Sequence, residues 1–171
     1  MGEPPTGHTT GLYTLETVDP LVRGVMVGEP YDGSARPRRT MFNSVVVGLK
    51  PGHETAAVVE LARKVATPTT RLHLVAVVAR ADEAQARAAE AELAPLAQEL
   101  STDGYQATFE VRASEISVAS ELVEVLHDRD ADLVVIGQRR RTAVGKAVMG
   151  SDAQRVLLGA PCPVLVPSTH G

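Results

Sequence analysis

Four short stretches of this chain are aliphatic with almost no polar alternation: 44–48 (SVVVG), 72–78 (LHLVAVV), 133–136 (LVVI) and 163–166 (PVLV). A strand with one wet face alternates apolar and polar residues. A strand buried on both faces does not, and such strands belong to parallel sheets covered by helices. The intervening segments read as those helices. Val58, Leu61, Ala62 and Val65 recur at i, i+3, i+4, i+7 between the breakers Pro51-Gly52 and Thr67-Pro68. Residues 82–100 are rich in Ala and Glu, with Ala89, Leu93, Leu96 and Leu100 on one face and Pro95 expected to kink or split the helix.

After Asp103-Gly104, Ala107, Phe109 and Val111 alternate with Thr108, Glu110 and Arg112, the pattern of a strand exposed on one side at a sheet edge. Residues 116–126 form a third helix with Ala119, Leu122, Val123 and Leu126 inward, and 152–158 a short fourth. The sum is β-α-β-α-β-α-β-α-β, an α/β fold with one parallel, doubly wound sheet and helices on both faces. At 171 residues the chain has room for one such domain, assigned to 43–171.

Residues 1–42 differ. They hold five of the eleven prolines and six of the fourteen glycines, and read as a mostly irregular N-terminal extension. Leu21 to Val27 has five apolar residues in seven: a short strand, or apolar residues on a surface groove. Ordering seven residues costs on the order of 7–14 kcal/mol of backbone entropy, so docking of this segment implies hydrogen-bonded pairing on a sheet edge.

A net charge of −4 and 3% aromatic residues with no Trp argue against nucleic-acid and anionic-membrane partners. The lone Cys162 fits a reducing compartment, and the chain shows neither a signal-peptide pattern nor a membrane-spanning run. A cytoplasmic location is expected.

In doubly wound sheets, ligands bind beyond the C-terminal strand ends where the strand order reverses. Two loops qualify: 49–54, and 137–151 (GQRRRTAVGKAVMGS) with three glycines and four basic residues. Gly150-Ser151 at the start of the last helix joins close backbone approach to a favourable dipole, and the Ser151 hydroxyl serves either as a helix cap or as a phosphate ligand. A Walker A loop is excluded because Ala147 follows Gly145-Lys146, and the Rossmann glycine fingerprint is missing.

"ADLVVIG" followed by "MGSDAQRVLLGAPCPVLVP" makes residues 43 to about 167 resemble the universal stress protein family. The resemblance implies an adenine-nucleotide alpha-hydrolase-like, five-stranded sheet of order 3-2-1-4-5 and a homodimer through the last strand. The family's nucleotide-binding pattern is glycine, two residues, glycine, nine residues, glycine, then Ser or Thr. Gly137, Gly150 and Ser151 match it, while Arg140 occupies the second glycine position. ATP-binding members carry an acidic residue after the first strand, where this chain has Lys50, and contact adenine through a valine that Val77 matches.

These two departures point to loss of the ordinary ATP mode. The basic cluster Arg139, Arg140, Arg141 and Lys146 is either a solvated patch or a retuned anion site. Other candidates are bland. His53-Glu54 suits a helix start, and His73 reads as a core histidine. His8, His127 and His170 are scattered, and Cys162 between two prolines has no partner nearby for nucleophilic work.

The expectation is a non-enzymatic, stress-related regulatory dimer with a degenerate or retuned nucleotide pocket, and an unidentified regulatory protein as a further partner. No cofactor is certain, with ATP or another adenine nucleotide as the candidate. The alternative is a true ATP or AMP sensor, or a sensor of another phosphorylated ligand, with slow or no hydrolysis.

Overall fold

The uninterrupted aliphatic run of β3 (Ser44–Leu49) is the central one of the five parallel strands in a seven-stranded sheet, hydrogen-bonded in parallel to β4 (Arg71–Ala79) on one side and β6 (Leu133–Ile136) on the other. β5 (Gln106–Ser114) extends the sheet beyond β4, and β7 (Val164–Pro167) extends it beyond β6. Counted from β3, these five parallel strands stand in the order 3-2-1-4-5. The computed structural model describes residues 11–14, 24–28, 42–52, 55–80, 82–137 and 150–167.

Side chains alternate across each strand, and each face has its own core. Val45, Val47, Leu72, Leu74, Leu133 and Val135 pack under α1 (Thr55–Val65) and α2 (Glu83–Thr102). Val46, Val75, Val134 and Ile136 pack under α3 (Val118–Asp128) and α4 (Ser151–Gly159). This two-sided burial is why the strands carry no polar alternation. Asp132 fixes the register of the central pair: its carboxylate accepts from the Asn43 N–H at 2.8 Å and the Ser44 N–H at 3.1 Å, and its own N–H donates to the Ser44 carbonyl at 2.9 Å.

Several local expectations are refined. α2 runs unbroken through Pro95, because that residue is exposed and the helical bond it forgoes lies on the solvent side. In α3 the inward set is Ala119, Leu122, Val125 and Leu126, with Val125 taking the buried place expected for Val123. β5 is an edge of the sheet, yet its polar face is not simply wet. Arg112 donates to Asp128 at 2.8 Å and to Glu121 at 3.3 Å, and Arg129 donates to Glu110 at 3.0 Å, a charged layer between β5 and α3.

At the other edge the sheet goes beyond the five expected strands. β1 (Gly11–Thr14) pairs antiparallel with β2 (Gly24–Gly28), and β2 pairs antiparallel with β7, Val25 opposite Val166 and Val27 opposite Val164. The strand read within residues 21–27 is thus present at Gly24–Gly28, paired to the outer edge of the five parallel strands, while β1 beyond it was not anticipated. The backbone edge of β7 implied as a dimer contact carries a strand of the same chain. No helix among the described residues is long and apolar enough to cross a membrane.

Candidate functional site

The chain runs β3, β4, β5 outward in one direction, then crosses over to β6 and β7 on the opposite side of β3. The reversal lies between β3 and β6, and their C-terminal ends diverge there to open a crevice. A cavity of about 640 Å³ occupies it. Lys50, Val77, Gly137, Gly150 and Ser151 all line this cavity, although they come from four separate parts of the chain. Arg140, the sixth candidate, lies outside the described residues, as do Arg139, Arg141, Lys146, His8, His53, Glu54 and His170.

Small residues let the walls close in at two points. A Cβ on Gly48 would stand 3.0 Å from both Ile136 Cγ2 and Leu122 Cδ2, so glycine at the end of β3 lets α3 lie close beneath the crevice. A Cβ on Gly137 would stand 3.2 Å from Val58 Cγ2, bringing the end of β6 against α1. The β4 side of the cavity is apolar, with Val75, Val77 and Val118.

The first turns of four helices reach the cavity, and the N-termini of α1 and α4 are treated differently. The loop before α1 turns through Gly52 at φ 74°, a left-handed conformation that suits glycine. Glu92 of α2 ties down that loop: it accepts from the Gly52 N–H at 3.0 Å and from the Thr55 hydroxyl at 2.6 Å. The start of α1 therefore already has a carboxylate of the protein's own. Among the described residues, α4 has no such arrangement. Its N-cap is Gly150, which offers no side chain to the first N–H groups, whereas Asp82 and Ser117 cap α2 and α3. Ser151 is the first helical residue, not the cap, so the helix-cap reading of its hydroxyl does not hold. The α4 start is the open, donor-rich end facing the cavity.

The cavity also contains polar residues that the sequence reading passed over: Thr55, Gln85 and Asp152. Asp152 had a legible signal, an acidic residue in the first turn of the helix that follows Gly150-Ser151. Thr55 and Gln85 had none, since their approach depends on how α1 and α2 start. Among the described lining residues the charges are Lys50 and Asp152 alone.

The remaining titratable candidates sit elsewhere. His73 is buried on the α3 side of β4, its Nδ1 2.8 Å from the Thr108 hydroxyl. Cys162, at the approach to β7, is half-buried, and burial followed by the nearby Asp132 charge pushes its thiol up to about 12, where it is a poor nucleophile. No group of three or more His, Cys, Asp or Glu side chains that could hold a metal occurs among the described residues.

A model of the universal stress protein family matches residues 41–167. A universal stress protein from Mycolicibacterium smegmatis is 45% identical over 64 residues, which are 37% of this chain and 49% of that protein. The match thus spans about half the length of that relative. Among solved structures, a universal stress protein from Archaeoglobus fulgidus superposes with a TM-score of 0.62 at 22% identity, covering 75% of this chain and 100% of the other. The universal stress protein from the same organism in complex with dAMP superposes with a TM-score of 0.58 at 20% identity, covering 77% and 100%.

Proposed function

The chain belongs to the universal stress protein family, and from that premise we propose that it is a non-enzymatic regulatory protein whose cavity takes an adenine-type ligand without the ordinary triphosphate mode. One observation carries this reading: Lys50, Val77, Gly137, Gly150 and Ser151 converge on a single cavity at the switch point. Its volume suits a small organic ligand, and its division into an apolar β4 side and a polar α4 end suits a base joined to a polar group. The relative from Archaeoglobus fulgidus solved with dAMP supports an adenine-type occupant. Against the ordinary ATP mode stand Lys50, where ATP-binding members have an acid that contacts the nucleoside, and Arg140, where the phosphate-loop pattern has glycine.

At the described wall of the cavity the Thr55 hydroxyl is already directed at Glu92. Isothermal titration with Mg-ATP should show no binding tighter than roughly 100 μM, equivalent to about −5.5 kcal/mol. The competing reading, a true ATP or AMP sensor, is favoured by the uncapped start of α4. A low-micromolar constant for Mg-ATP would establish that sensor and end the present reading. We further propose that the chain forms a homodimer through β7 only when β2 is displaced from that edge.

A further inference from the structure

We propose that Asp152 sets the specificity of the cavity, favouring an uncharged, hydroxyl-bearing ligand end such as that of a nucleoside over a polyphosphate. The inference rests on the ligand-binding reading above and names which ligand class that site takes. Asp152 is the second residue of α4 and lines the cavity beside Ser151 and the cap residue Gly150. Backbone N–H groups at a helix start attract an anion. Here, however, a carboxylate in the same first turn already supplies that anion, and it has no ion-pair partner among the described residues.

The donor and acceptor inventory leads to the same class. A phosphate presents acceptors only and adds negative charge. The α4 end offers N–H donors, the Ser151 hydroxyl, which both donates and accepts, and the Asp152 carboxylate, which accepts. That mixed set matches hydroxyl groups, each of which donates and accepts. The opposite side, with Val75, Val77 and Val118, suits a flat apolar ring. Lys50, the other charge on the described cavity wall, belongs to the loop between β3 and α1, whereas Asp152 stands in the first turn of α4 itself.

The test is calorimetric titration of the full chain with adenosine, AMP and ADP, in EDTA to keep divalent ions away, on the wild type, Asp152→Asn and Asp152→Ser. Thermal melts establish that each variant folds, and the second substitution stands in if the first does not. In the wild type, affinity should fall from adenosine to AMP to ADP. In Asp152→Asn the preference for adenosine over ADP should fall by roughly fivefold or more, the size expected for removing one nearby screened charge. Added salt should narrow the adenosine-to-ADP ratio in the wild type and leave it nearly constant in the variant. If wild-type protein binds ADP as tightly as adenosine, or the ratio is unchanged in both variants, Asp152 is not the selector. If none of the three ligands binds wild type or variants, the ligand-binding reading itself fails and this inference falls with it.

Discussion

His73 has one ring nitrogen in use and the other without a partner: Nδ1 meets the Thr108 hydroxyl at 2.8 Å, while Nε2 is buried and unsatisfied. Burial, then the Arg129 and Arg71 charges, hold its pKa below the ordinary 6.5, with Glu110 pulling weakly the other way. The folded ring is therefore neutral where an unfolded one would gain a proton. As pH falls below about 6.5 the unfolded state binds more protons, so stability is lost on the acid side and unaffected above it. Urea midpoints measured from pH 7.5 down to 5 should fall more steeply for the wild type than for His73→Gln, the difference being at most about 1.4 kcal/mol per pH unit for one proton. Identical slopes for the two proteins would show that His73 protonates freely in the fold. The core role of His73 was legible from its place in an aliphatic strand, whereas its orphaned nitrogen was not, because that depends on β5 and α3.

Among the elements, four of the five parallel strands were legible because burial on both faces leaves an unbroken aliphatic run, and β5 because its residues alternate as an edge strand's do. β2 was half legible, since its apolar residues announced a strand and entropy argued for an edge, but nothing local chose between the two edges. β1 gave no signal, being four residues within a segment rich in Gly and Pro. The pairing of β2 with β7 has a consequence for assembly. A sheet edge left bare invites another strand, and β2 of the same chain occupies that place. In an antiparallel ladder, alternate residues hydrogen-bond to opposite neighbours, so Val25→Pro with Met26→Pro removes one N–H donor toward β7 and one toward β1. Light scattering should report a larger dimer fraction for this double variant than for the wild type. An unchanged distribution would show that β2 does not control association through β7.

At the scale of the molecule, the crossover from β5 to β6 creates the crevice, and everything proposed for function depends on what that crevice binds. Resemblance to the family marked five of its residues: Gly137, Gly150 and Ser151 through the family's glycine spacing, and Lys50 and Val77 through their places after the first strand and at the end of the second. The sequence could not reveal Glu92, because the carboxylate that holds Gly52 and Thr55 arrives from a helix 40 and 37 residues further along. Asp152 was legible and passed over, because an acidic residue in a first helical turn is ordinary until the structure shows it facing a cavity. The most direct measurement is a two-dimensional amide NMR titration of the full chain with adenosine. Saturable shifts should concentrate at Gly48, Leu49 and Lys50, at Val77, at Gly137, and at Gly150, Ser151 and Asp152. Shifts confined to the β5 or β7 edges, or no saturable shift at these residues, would contradict the assignment of the switch-point cavity as the binding site.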